Sequence, residues 1–454
     1  MRTITITTIL AALLAAVPAC DLDVPDLNNP GIDDLEENPT APAVTAACTG
    51  LLIGNRRNHA AANGFVAQLG IVGREAYNFD QADPRFVGEL LQGTLNRGSP
   101  FGGNFWTLPY ANVRLANTVL GAVEKVPDFS PEEKAGIRGF TKTIMALDLL
   151  EVISTRDDIG AVIDTNKPIG DIGAIVDKTM VLTEIARLLD DGAMDLMGAG
   201  DEFPFKLSNG FAGFDEPMSF RTVNRAVRAR VAAYQKNYAV ALTALGESFI
   251  DDTMVTVADL DVGVYYSYST GPGDTTNALI NPNIFAHPSL KTDVMMNGTA
   301  ADLRFTRKVE MAEKPGSAQG LTSDIVFTIY TSPASPVALI RNEELLLLRA
   351  EAKFFTSDAA GAMTDLNLVR TTSGGLAMIG GGAPSEDAFV TALLYEREFS
   401  LLFEGHRWID VRRFGRLDTL PLDAPDHTRN RRYPIPQAEC NARPGEAACE
   451  LTSI

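Results

Sequence analysis

Apolar residues recur at helical rather than strand spacing along most of the chain. The first such segment opens at Thr40, with Pro42 where a first turn tolerates it and Val44, Cys48, Leu51 and Leu52 on one face. From Tyr77 to Gly103 the chain is rich in Gly, Asp and Asn, shows no period and is expected to be irregular. A wide apolar stripe returns from Phe105 to Val126, carried by Trp106, Tyr110, Val113, Ala116, Val119 and Val123. Ser130-Pro131-Glu132-Glu133 is a strong helix start, with a capping hydroxyl, Pro at the first position and acids against the positive end of the dipole. That helix is expected to reach Ile153, and another to cover Val181 to Met197.

Two later segments resemble one another at a constant offset of 121 residues. Arg228-Ala229-Arg230-Val231-Ala232-Ala233-Tyr234 leads to Ala241 and Leu245; Arg349-Ala350-Glu351-Ala352-Lys353-Phe354-Phe355 leads to Ala362 and Leu366. In each, a polar turn (Lys236-Asn237, Ser357-Asp358) joins two helical patterns. Small Ala at a crossing and an aromatic plugging the pair is the physics of a TPR-like helical hairpin. Between the repeats, over about 254–338, the composition changes to Gly, Pro and Asn around short runs such as Tyr265-Tyr266-Ser267-Tyr268 and Ile325-Val326-Phe327-Thr328-Ile329-Tyr330. The expectation is a mainly α scaffold of helical hairpins with long irregular loops, a few short strands and a loop-rich insert.

Composition narrows the function. With 45% hydrophobic and 21% charged residues the chain is globular rather than disordered. A net charge of -19 repels phosphate backbones and argues against nucleic acid. Arg2, the apolar run Ile9 to Ala16 and Val17-Pro18-Ala19-Cys20 resemble a bacterial lipoprotein signal, although Pro18 is uncommon in its slot. Residues 1–19 are then a leader, Cys20 carries the lipid, 20–42 form a flexible tether and 43–454 one domain, anchored to a membrane rather than threaded through it. In an exported chain Cys440 and Cys449 can pair, whereas Cys48, on a helical face, reads as a buried free thiol. Four His and no Cys-x-x-Cys make a metal site improbable. Gly380-Gly381-Gly382 lacks the Lys-Ser/Thr of a phosphate-binding loop, and there is no Gly-x-Ser-x-Gly elbow, so no cofactor is implied.

The most specific segment is Leu393 to Gly415, which reads as one charged helix. Its Glu396, Arg397, Phe403, Glu404, Gly405, Arg407, Trp408, Asp410 and Arg413 resemble the E-R-x-x-E-L-x-F-E-G-x-R-x-x-D-x-x-R signature of the SusD/RagB family. Further pieces fall in that family's order: Cys20, the Trp106 to Asn117 helix, Arg341-Asn342-Glu343-Glu344 before Leu348-Arg349-Ala350-Glu351-Ala352, Leu366 to Arg370, and Tyr433 to Glu439. The tail cysteines depart from it. The resemblance implies a surface lipoprotein of a bacterial outer membrane that binds a nutrient, a glycan above all, and delivers it to a SusC-like TonB-dependent transporter.

Glu396, Glu404, His406 and Asp410 could instead serve a surface glycoside hydrolase. Arg397, Arg407, Arg412 and Arg413 interleave with them, however, and paired guanidinium groups suit a structural network rather than a general acid. A protein-binding TPR adaptor is the other alternative. Sugars are held by aromatic faces beside amide and charged groups. That mixture selects Arg74, Tyr77, Asn78 and Phe79, then Asn104, then Tyr266 and Tyr268, which strand alternation places on one face.

Overall fold

The computed structural model describes residues 32–93, 95–168, 170–253 and 256–454; Cys20 and the leader lie outside them. We label the main elements only. The scaffold is helical: α1 Ala41–Arg56, α2 Phe65–Val72, α3 Pro100–Lys125, α4 Pro131–Arg156, α5 Lys178–Met197, α6 Pro217–Tyr234, α7 Tyr238–Gly246, α8 Asn342–Phe355, α9 Ala359–Thr372, α10 Glu386–Ser400 and α11 Arg407–Arg413. From α3 to α9 each helix packs against the next in sequence, and α10 closes on α8 and α9. The expected class, helical hairpins carrying loops and short strands, is the one observed.

The caps explain several boundaries. The Ser130 hydroxyl accepts from Glu133 N while Glu133 reaches back to Ser130 N, a full capping box. Helix α3 begins five residues before the expected Phe105, because Ser99 caps it and Pro100 takes the first position. Helix α4 is buried at nearly every position from Ala135 to Arg156, as a helix at the centre of a stack must be. It approaches α5 closely at Gly139, where an added Cβ would lie 2.8 Å from the Gly192 carbonyl oxygen. The end of the expected tether is ordered: residues 32–37 form a short helix, Leu35 is buried and Lys125 Nζ donates to Glu36 O at 2.6 Å.

The 121-residue repeat holds in the backbone. Lys236 (φ +58°) and Ser357 (φ +69°), one offset apart, both turn the chain in the left-handed region. The two hairpins meet where Ala232, Ala241 and Ala352 pack together and Tyr238 stacks on Phe355 at 4.8 Å.

The insert supplies most of the strands. β1 Ala76–Asn78 pairs antiparallel with β3 Ile284–Ala286, and β2 Gly263–Tyr266 with β6 Val337–Arg341 through a bulge at Ala338/Ile340. β4 Val309–Ala318 and β5 Leu321–Phe327 form a hairpin with a break between Met311 and Gly316. The C-terminal segment returns to the first helices: Tyr433 N donates to Thr155 O and Thr428 N to Leu91 O, both at 2.8 Å, while buried Ser453 accepts from Leu95 N. Cys440 and Cys449 form a disulfide, and Cys48 is a buried free thiol.

The signature segment is not one helix. α10 ends at Ser400, a turn follows, and α11 begins at Arg407. Phe403 adopts φ +57° and Gly405 φ +87°, conformations no helix continues through. Phe403 is held there by stacking on Phe327 at 4.2 Å, by seating its ring against Gly70, and by Glu75, whose carboxylate accepts from Phe403 N.

Candidate functional site

The acids of the signature face inward. Arg397 donates to Asp410 at 2.7 Å, Arg413 to Asp410 at 2.8 Å and to Glu351 at 2.7 Å. Glu396 is shared by Arg304 and Arg370, both at 2.6 Å, Glu404 pairs with Arg341 at 3.0 Å, and Arg407 pairs with Glu398. The Trp408 indole donates to Asn430 O at 2.8 Å beneath the Arg412 guanidinium. Burial alone would raise the carboxyl pKa of Glu343 and Glu344, but Arg341 and Arg230 outweigh it and hold both at about 2. Burial of Asp410 is likewise outweighed, by Arg397 and then Arg413, so it too lies below the usual carboxylate range. Ions held this way lock the C-terminal turn onto α8, while burial pushes the Glu396 carboxyl up despite Arg304 and Arg370.

The run Arg74 to Phe79 is also interior. Arg74, Tyr77, Asn78 and Phe79 are all buried. Arg74, at φ +58°, donates to Val72 O, Thr428 O and Pro421 O, tying the end of α2 to the C-terminal segment. Tyr77 packs on His287 and Phe79, and the Asn78 side chain accepts from Asp80 N. These groups brace the β1–β3 pair. The Asn104 side chain lies outside what the structure describes.

Tyr266 and Tyr268 do share a face, as alternation predicts, and that face lies under an open cavity of about 540 Å³. One wall is the C-terminal half of α1, with Leu52 and Arg56; the other walls are the 206–211 loop and the 267–274 turn that follows β2. The 206–211 loop can lie against β2 because residue 210 is glycine: a Cβ there would sit 1.8 Å from Tyr265 O. Arg56 bridges the walls, donating to Ser267 O and Asp274, with its guanidinium 5.7 Å from the Tyr268 ring centre. The Ser269 hydroxyl first, and Arg56 further down, keep the Asp274 carboxyl below its ordinary pKa. Ser208, Asn209, Ser267 and Ser269 add hydroxyl and amide groups to the lining.

Tyr266 also borders a second, smaller cavity of about 70 Å³ between α4, α6 and the 404–409 turn. Its hydroxyl donates to Asn55 at 2.9 Å, and Asn55 and Asn112 both donate to Asp148 at 2.7 Å. The cleft floor is thereby tied to the central helix. The cavities of about 410 Å³ beside Trp106 and Tyr110 and about 720 Å³ beside α9 hold none of the expected binding side chains. Among the described residues no helix is long and apolar enough to cross a membrane, and no cluster of His, Cys, Asp and Glu is placed to hold a metal.

Pattern reading missed Arg56, Lys206 and Asp274. The only local signal was the polar Ser269-Thr270-Gly271-Pro272-Gly273-Asp274 turn directly after the tyrosine run.

Residues 330–438 match the model of the SusD family. No curated protein matches the sequence. Solved structures match over most of the chain. A SusD superfamily protein from Bacteroides vulgatus has a TM-score of 0.68 at 15% identity, covering 91% of this chain and 98% of its own. A SusD-like carbohydrate binding protein from Bacteroides fragilis has 0.69 at 14%, covering 88% and 98%. Surface glycan-binding protein A from Bacteroides thetaiotaomicron, solved with laminarihexaose, has 0.70 at 14%, covering 91% and 100%. Identities this low carry the fold and not the ligand. Residues 330–438 thus carry the SusD family's C-terminal sequence, within a fold shared with solved SusD-like proteins.

Proposed function

We propose that the protein is a surface glycan-binding lipoprotein, anchored through Cys20 to an outer membrane, that captures an oligosaccharide and delivers it to a SusC-like TonB-dependent transporter. The observation that carries the binding reading is the cleft over Tyr266 and Tyr268: roomy, open and lined by hydroxyl and amide groups on a braced scaffold. Its one lining carboxylate, Asp274, is ion-paired with Arg56, so the acid and base pair a hydrolase needs is missing from the described lining. The family's solved members add support, one of them holding laminarihexaose. The lipobox-like Cys20 segment and the likeness of residues 330–438 to the SusD family support anchoring and the transporter partner.

Isothermal titration of the purified protein against an oligosaccharide panel that includes laminarihexaose tests this, paired with a reducing-end assay on the same mixtures. Saturable binding without new reducing ends is expected. New reducing ends would replace the reading with a hydrolase, and no binding by any oligosaccharide would reject glycan capture.

A further inference from the structure

The cleft holds an imbalance of charge that the glycan reading does not use. Two cations line it, Arg56 and Lys206, against one carboxylate, Asp274. Arg56 is committed: it is largely buried, bonded to Ser267 O and paired with Asp274, so the two charges cancel between the walls. Lys206 stands exposed on the opposite wall and makes no ion pair among the described residues. The one uncompensated charge of the lining is therefore positive, in a chain whose net charge is -19.

The chain's remaining charges do not erase that local sign. At physiological salt the Debye length is about 8 Å, so exposed acids farther away are largely screened while a group inside the cleft meets Lys206 directly. A neutral sugar gains nothing from the ammonium group, and the aromatic faces offer it little. Phe211, Tyr266 and Tyr268 are all buried, and Arg56 already covers Tyr268. Hydroxyl and amide groups together with one free cation on the walls match a saccharide that carries a single anionic group.

We propose that the Lys206 cleft selects acidic oligosaccharides, those bearing a carboxylate or a sulfate ester, over neutral ones. This rests on the glycan-capture reading above and names the ligand class of that same site. The shared chemistry is the anion; uronate and sulfated sugars are its two sources.

The test is isothermal titration with three probes of similar length: laminarihexaose, an oligogalacturonate and a sulfated galactan oligosaccharide. Wild-type protein is expected to bind at least one acidic probe about tenfold more tightly than laminarihexaose, with the difference shrinking as salt rises from roughly 50 mM to 500 mM. The acidic probe that binds tells which source supplies the anion. Lys206→Gln is expected to lose most of that preference and Lys206→Glu to reverse it, with Tm unchanged in both, because the side chain is exposed. Equal affinity for all three probes, or an acidic preference that survives Lys206→Glu, overturns the assignment while leaving glycan capture standing. Binding to no probe overturns both.

Discussion

Arginine meets carboxylate in two contrasting settings in this molecule. Arg397 and Asp410 are almost wholly buried and joined to a wider mesh through Arg413 and Glu351. Arg56 and Asp274 meet across the walls of a cleft, with Arg56 mostly buried and Asp274 about a quarter exposed. The chemistry is the same and the roles differ, because burial decides what breaking the pair costs. A buried ion that loses its partner keeps its desolvation penalty, whereas an exposed one recovers water. Charged motifs alone therefore do not mark a binding site; the surroundings do.

The contrast breaks most sharply at Asp410. Asp410→Ala leaves Arg397 and Arg413 short of their shared acceptor and is expected to cost about 3–5 kcal/mol, read as a large fall in Tm. Tyr77→Ala should destabilise comparably by emptying a packed aromatic site; a variant with unchanged Tm and weakened glycan binding would move Tyr77 from the interior set to the site. Next in size is the response to pH. Glu343 and Glu344, at about 2 in the folded state, lend stability that is complete above their unfolded value of about 4.5 and is lost as pH falls from there toward 2. Glu75 and Asp148, pushed up to about 8 by burial, lend stability that is present below their unfolded values and lost as pH rises through 8. Thermal unfolding across pH should thus show a maximum at roughly pH 4–5, with decline below it and a second decline from there toward pH 8; a flat limb between pH 5 and 8 would mean that Glu75 and Asp148 ionise without cost.

Tyr266→Phe removes the donor to Asn55 and should cost about 1–3 kcal/mol, lowering Tm measurably without changing the cleft's shape. Smallest is Asp274→Asn, expected to change stability by about 1 kcal/mol or less because the pair is partly exposed. Its effect should appear in titration, where an unpaired Arg56 tightens binding of an acidic oligosaccharide. A large fall in Tm for this variant would erase the distinction between the two settings.

Much of the scaffold was legible because helix signals are local. Ser130-Pro131 announced α4, and Ser99-Pro100 carried the same signal for α3, hidden by the Gly-rich residues around it. The break between α10 and α11 was not legible: Phe403 takes its left-handed turn through partners at Gly70, Glu75 and Phe327, far away in sequence. The site divided in the same manner. Alternation placed Tyr266 and Tyr268 on one face, but whether that face met solvent or core depended on α1 and the 206–211 loop. Arg74 looked like a ligand-binding cation because its acceptors, the carbonyls of Pro421 and Thr428, cannot be seen in the residues beside it.

The return of the C-terminal segment has a consequence for the order in which the molecule can be completed. The carbonyls of Leu91 and Thr155 and the amide of Leu95 are met by Thr428, Tyr433 and Ser453. A chain made from its N-terminus must therefore leave the first helices with open polar groups until nearly all of it has been synthesised. Nascent chains that stop before residue 428 should stay open to proteolysis along α4, and protection should arrive late and all at once.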